Sequence, residues 1–277
     1  MGGLYPFGIR VRSRLLEKCG EEMKRCRFSK YLPCPGKRTR EGPRPSQGTG
    51  NSIPGGGLSV AFPALRAVEG WMKDDTPALP LAALRLWDDR ARLGSGAWNM
   101  AVDEALLTGM AATPVPVLRV YRWDRPTLSF GYFLPQTEAL AALSHGETLI
   151  RRWTGGGLVH HAAAVTWSLV VPHAEAFCRL RPGQSYAQLH LALAHSLRGM
   201  GLEGITVVPA ETPAPLGGLC AEAPAPGDLL RYGLKIAGAG QRRTRQGLLH
   251  QGVIFLAEQD LSPDFPERLA RVLAGDV

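Results

Sequence analysis

Two stretches of this chain gather residue types that chemistry needs. The first, "RRWTGGGLVHH" at residues 151–161, sets two arginines, three glycines and two histidines between apolar runs. Glycine has no Cβ and tolerates positive φ, so a ligand can come close to main-chain N–H groups there. Arginines beside it add donors suited to a phosphate or a carboxylate. A hairpin turn flanked by solvated arginines has the same composition, and the residues alone leave both readings open. It is not a Walker loop, because no Lys-Ser/Thr follows at the required spacing. The second stretch, "KIAGAGQRRTRQGLLHQG" at residues 235–252, places Lys235 in an apolar strand context before Ala-Gly-Ala-Gly. That again puts a positive charge beside accessible backbone. The alternative is an edge-strand lysine that snorkels to water. Arg242, Arg243 and Arg245 read as a solvated turn.

Cys220 stands in "APLGGLCAEAPAPGDLL", whose glycines, prolines and acids are a loop composition. Cysteine is commonly a small buried hydrophobe, but loops carry reactive groups, and a nearby cation would favour the thiolate. Cys178 has no comparable setting and reads as structural. His190 and His195 are five apart and face different sides of a helix, while alanines and no carboxylate follow His160 and His161. No metal site is expected.

These residues need elements to hold them. "LAALRLWDD" at 81–89 reads as a first strand, and residues 97–112, with Met100, Leu106, Leu107 and Met110 at near-helical spacing, as an amphipathic helix. "VPVLRVYRW" and "TLSFGYF" are strands joined at Asp124-Arg125-Pro126. "TLI" at 148–150 enters the glycine loop and "AVTWSLVVP" at 164–172 leaves it as a strand. Residues 185–201 form a helix with Leu189, Leu193 and Leu197 four apart and Ser185 as N-cap. "ITVVP", "DLLRYGLKIAG" and "LLHQGVIFL" supply further strands, with Tyr232-Gly233 as a tight turn. A short helix closes the chain at 263–275. Strands predominate without regular βα alternation, so the expected class is α+β.

Composition narrows the function. A chain of 277 residues with 45% apolar content can bury a sizeable core, and no apolar run spans a bilayer. The net charge of +8 is uneven: residues 1–71 hold 13 Lys/Arg against 5 Asp/Glu, leaving 19 of each sign in 72–277. The folded part therefore has no net attraction for polyanions, which argues against a nucleic-acid partner. Residues 1–80 are expected to be a basic, disordered extension before a domain at 81–277. A binding arm, a targeting peptide and a mis-assigned start with Met72 as the true beginning all fit it, and the charge split favours the last. Without CxxC pairs or a secretory signal, a reducing cytoplasmic setting is expected.

Together these stretches resemble the lipoate–protein ligase and octanoyltransferase family. "NMAVDEALL" is similar to its first-helix signature and "PVLRVYRWDRPTLSFGYF" to its paired strands. "RRWTGGGLVHH" resembles its glycine loop, and "KIAGAGQRRTRQGLLHQG" its Lys-Ile/Val-Ala-Gly segment. The resemblance covers roughly residues 85–256 and implies the mixed β-sheet biotin/lipoate ligase catalytic fold with flanking helices. It implies catalytic roles for Cys220 and Lys235. It implies an acyl pocket formed by Arg152, Thr154, Gly155, Gly156, Gly157, Leu158, Val159, His160 and His161 with Gly238, Ala239 and Gly240.

The implied activity is transfer of an octanoyl or lipoyl group from an acyl carrier protein thioester, through a Cys220 thioester, to a lysine of a lipoyl domain or a glycine-cleavage H-type protein. No cofactor is needed for that. An ATP-dependent ligase working through acyl-AMP, with Mg2+, is the alternative, and it needs no cysteine. The interval from Cys220 to Lys235 favours transfer, whereas the full glycine triplet is typical of ligases. Alanines stand where the family often has an acid after the loop histidine, and Ala221 where it often has phenylalanine. A non-catalytic relative that binds a lipoyl domain or carrier protein fits those departures. The sequence ends on "ERLARVLAGDV", and the accessory domain of the larger ligases is not expected.

Overall fold

The computed structural model describes residues 81, 83–162, 164–213 and 224–275. The basic extension and Cys220 lie outside them. Three strands are buried along nearly their whole length: β2 (Val117–Trp123), β6 (Val165–Pro172) and β10 (Gly247–Ile254). Strands covered on both faces read as near-continuous apolar runs rather than alternation, and these do. They form the middle of a seven-stranded sheet ordered β1-β2-β6-β10-β9-β8-β7. Here β1 is Arg85–Gly94, β7 Ile205–Val207, β8 Leu229–Arg231 and β9 Leu234–Arg243. Within this sheet, among the described residues, only the β1–β2 pairing is parallel. The α+β expectation holds.

Helices α3 (Pro182–Arg198) and α4 (Phe265–Ala274) cover one face. Leu189, Leu193 and Leu197 of α3 pack with Trp167, Leu169, Leu248 and Phe265 in the main core. Helix α1 (Gly96–Gly109) covers the other, where Val102, Leu106 and Leu107 meet Val170 and Leu249. Its N-cap is Ser95, whose hydroxyl accepts from Trp98 N–H at 3.2 Å.

A second, three-stranded sheet, β4-β3-β5, lies on that side as well. It comprises β3 (Thr127–Phe130), β4 (Thr148–Arg151) and β5 (Leu158–His161), with the short α2 (Gln136–Ala141) against it. The strands on either side of Asp124-Arg125-Pro126 thus sit in different sheets, a correction to their expected pairing. Strand β2 already has β1 and β6 on its two edges, so β3 must leave for another sheet. Strand β5 is a further departure, since the sequence pattern places its four residues in the glycine loop. A third concerns Ser185: α3 starts a turn earlier, with Pro182 at its first position and the Gln184 side chain accepting from Arg181 N–H at 3.1 Å. The Tyr232-Gly233 turn stands as expected, with φ of 50° and 82° closing the β8–β9 hairpin.

Candidate functional site

Strands that are buried on both faces must partner any polar side chain they carry. Arg119 of β2, Ser168 of β6 and Gln251 of β10 all converge on Asp103 of α1, which is fully buried. Its Oδ1 accepts from Arg119 Nη1 at 3.1 Å and from Ser168 Oγ at 2.9 Å. Its Oδ2 accepts from Gln251 Nε2 at 2.7 Å and from the Tyr121 hydroxyl at 3.1 Å. Arg119 also pairs with Asp89 at 2.7 Å. Because Asp103 can only accept, the Gln251 amide must point its nitrogen there, leaving Oε1 to accept from Thr154 Oγ1 at 2.8 Å. Through these bonds the core sets the position of the glycine loop.

The loop itself is wedged between two backbones. A Cβ on Gly131 would stand 1.9 Å from the Gly156 carbonyl oxygen, and one on Gly240 of β9 would stand 2.5 Å from that of Gly155. Gly156 also has a φ of 99°, which side chains rarely adopt. Arg152 holds the loop from behind: Nη2 donates to the carbonyls of Gly157 at 2.9 Å and Gly155 at 3.3 Å, and Nη1 donates to Ser129 Oγ at 2.7 Å. Gly131 and Gly240 therefore allow close backbone packing against the loop, Gly156 supplies its positive φ, and this arginine grips the loop's own main chain. The solvated-hairpin reading does not survive.

Ser129 Oγ lies 2.7 Å from His161 Nε2. The Ser129 hydroxyl also reaches Val159 O at 3.5 Å, and the other ring nitrogen, Nδ1, faces Thr166 Oγ1 at 3.4 Å. Burial, with the Arg152 charge adding, holds the His161 pKa well below its usual value, so the ring is neutral. It stacks on Trp123 with centroids 4.1 Å apart. Met100, Tyr121, Trp123, Val159 and His161 line a cleft, and Gly238, Ala239 and Gly240 of β9 form part of its wall. An apolar floor with a few converging polar groups is the ordinary form of a small-ligand site.

Lys235 comes to the rim of that wall. Its ammonium pairs with Asp228 at 2.7 Å, and both side chains are only 2% exposed. A Cβ on Gly238 would stand 2.9 Å from Lys235 Cε and 3.1 Å from Nζ, so only glycine lets the lysine lie against the wall. The snorkelling edge lysine is therefore ruled out. Asp228 accepts in addition from Ala225 N–H at 2.7 Å and from the Tyr186 hydroxyl.

Most of the expected pocket residues gather here: Arg152, Val159, His161, Gly238, Ala239 and Gly240 border the cleft, with Thr154 and Gly155, Gly156 and Gly157 in the loop beside it. Two do not. Leu158 packs into the opposite face of the small sheet with Leu128, Phe130 and Ala139. His160, one pleat along, turns to Glu147 at 2.7 Å. Alternation along β5 sends these two away from the cleft and Val159 and His161 into it. The contact with Glu147 also corrects the expectation that no carboxylate is near these histidines. Arg242 and Arg243 are not a solvated turn: Arg242 lies 4.3 Å over the Tyr132 ring, and Arg243 donates to Cys178 O at 2.6 Å and to Ser185 Oγ at 2.7 Å. Cys178 is half-buried and its thiol pKa is raised by burial, consistent with a structural role.

Sequence reasoning missed Asp103, Ser129, Tyr186, Asp228 and Gln251. Asp103, Ser129 and Gln251 do lie within the motif stretches, though without a role there, and for Asp228 the Tyr232-Gly233 turn was a signal, since it sets Leu230 opposite Lys235 and brings the acid two residues earlier near the lysine.

Mixed sheets, helices on both faces and a glycine loop pressed against a lysine-bearing strand define the class: the catalytic fold of the lipoate–protein ligases. Residues 95–275 match the family model for the lipoyl protein ligase A/B catalytic domain, and the chain belongs to that family. An octanoyltransferase LipM from Kyrpidia tusciae is 36% identical over 182 residues, covering 62% of this chain and 65% of that protein. The LipM of Carboxydothermus hydrogenoformans is 36% identical over 168 residues, 58% of this chain and 61% of its own. The match thus spans a little under two thirds of either relative. Among solved structures, a protein of T. acidophilum described as a candidate lipoate protein ligase aligns with a TM-score of 0.54 at 22% identity, over 71% of this chain and 85% of its own. No helix among the described residues is long and apolar enough to cross a membrane.

Proposed function

We propose that the chain is an acyltransferase that moves an octanoyl group from an acyl carrier protein thioester, through a thioester on Cys220, to a lysine of a lipoyl domain or a glycine-cleavage H-type protein. The observation that carries this reading is the Lys235 ammonium, seated by Asp228 against Gly238 at the cleft wall. The LipM relatives support it, and the apolar cleft floor suits a hydrocarbon chain.

In the first half-reaction the Cys220 thiolate attacks the thioester carbonyl, and main-chain N–H groups of the glycine loop hold the developing oxyanion. Each such donor lowers the barrier by about 3 kcal/mol. The carbon–sulfur bond to the carrier breaks, and Lys235 gives its proton to the departing thiolate. In the second, the acceptor amine attacks the Cys220 thioester, the now neutral Lys235 takes the proton from the forming amide nitrogen, and the Cys220 thiolate leaves. A thioester is already activated, so neither nucleotide nor metal enters the cycle.

Purified chain with octanoyl-carrier protein and a lipoyl domain tests this. Octanoylated acceptor and an octanoyl adduct on Cys220 by mass spectrometry are expected, with Cys220→Ala abolishing both. Product formed from the thioester by Cys220→Ala would rule out the Cys220 intermediate, and product formed only from octanoate plus ATP would make the chain a ligase. No product from either donor would leave a binding protein.

A further inference from the structure

Tyr186, in the second turn of α3, belongs to none of the stretches whose residues suggested chemistry, yet its hydroxyl reaches two parts of the site at once. It donates to Asp228 Oδ1 and accepts from Ala239 N–H at 2.8 Å. The second bond has a topological cause. Strand β8 pairs with β9 only from Leu234 to Ala237, so at Ala239 the outward N–H has run past its strand neighbour. A part-buried amide without an acceptor is costly, and the tyrosine supplies one. The ring is held by two neighbours: His190 lies against it, tilted by 33° with centroids 4.3 Å apart, and a Cβ on Gly227 would stand 2.7 Å from Tyr186 Cδ1. Gly227 has a φ of 86°, so glycine suits this place twice over.

We propose that Tyr186 is a positioning residue for Lys235, acting through Asp228. The proposal rests on Lys235 being the proton-transferring group. The Asp228 carboxylate has two oxygens. Oδ2 takes the ammonium and Ala225 N–H, and the hydroxyl on Oδ1 stops the carboxylate from turning about its axis. The same hydroxyl ties that carboxylate to the strand that walls the cleft. Lysine, acid and wall thus keep a common frame while the acyl group is handed over. Phenylalanine at 186 would fill the same space and lose only the tie.

The test uses the full chain with octanoyl-carrier protein and a lipoyl domain. Tyr186→Phe, Asp228→Asn, the double variant and Lys235→Ala are compared for kcat and KM. A lost hydrogen bond to a charged group corresponds to roughly a ten- to hundredfold fall in kcat. That fall is expected for Tyr186→Phe, with KM for the donor within about twofold, a split that general loosening of the fold does not produce. In the Asp228→Asn background the same change is expected to alter kcat by less than about twofold. A kcat for Tyr186→Phe within twofold of the parent, or an equal effect in both backgrounds, overturns the proposal. Activity retained by Lys235→Ala would instead overturn the underlying role of the lysine. Should a variant fail to fold, hydrogen exchange in the unsubstituted protein still decides: an Ala239 amide protected like its strand neighbours supports the tie, and an unprotected one refutes it.

Discussion

Gly240 and Gly155 face each other across the loop–strand contact, but the structure gives their substitution to alanine opposite outcomes. A Cβ on Gly240 would stand 2.5 Å from the Gly155 carbonyl oxygen and 3.1 Å from Thr154 Oγ1, while one on Gly155 would meet nothing within 4 Å. Relief of the first clash requires the loop to retreat by most of an ångström. Three restraints oppose that retreat: Thr154 Oγ1 on Gln251, Tyr132 N–H on Thr154 O, and Arg152 on the carbonyls of Gly155 and Gly157. Forcing an extra methyl into such a packed contact costs about 1–3 kcal/mol. At roughly 2–4 °C per kcal/mol for a domain of this size, the midpoint falls by about 2–12 °C. A displacement near 1 Å at a positioned site also lowers turnover by about a hundredfold.

Thermal and urea unfolding of the two variants is the assay, with acyl transfer measured alongside. Gly240→Ala should lose stability within that range and most of its activity. Gly155→Ala should unfold within about 0.5 kcal/mol of the parent, as substitutions away from packed contacts do. Equal destabilisation by the two, or a larger loss at Gly155, would refute the wedge that places the loop.

Other outcomes follow from the buried polar groups. His190 is fully buried and its pKa lies at about 4, because burial outweighs the upward pull of Asp228. The unfolded chain therefore binds the extra proton first, and stability is lost as pH falls from about 6.5 towards 4, by up to about 3 kcal/mol. Urea midpoints across that window should fall less steeply in His190→Phe than in the parent, and parallel curves would contradict the assignment. Asp103→Leu strands four donors, the Arg119 guanidinium among them. It should cost about 3–5 kcal/mol by urea denaturation, and a loss below about 1 kcal/mol would show the network to be dispensable. Thr154→Val keeps the shape but leaves Gln251 Oε1 without its donor, which should cost about 1–3 kcal/mol in the same measurement.

What the sequence determined by itself is local. Leucines four apart make α3, the Tyr232-Gly233 pair turns the β8–β9 hairpin, and uninterrupted apolar runs make the central strands, because periodicity and turn chemistry act between neighbours in the chain. The four motif stretches likewise named the family and most residues that border the cleft. Only the tertiary structure decided what those residues do. Thr154 meets Gln251 across 97 positions and Gln251 meets Asp103 across 148, so nothing in either neighbourhood announces the contact. The same holds for Leu158 and His160, which share a strand with Val159 and His161. Which pair faces the cleft depends on the register of β5 against β3, and that register is set by what the second sheet packs upon. Arg152 shows the difference in role: its charge is plain in the sequence, but folding spends it on the loop's own carbonyls, because buried main chain needs donors as much as any ligand does.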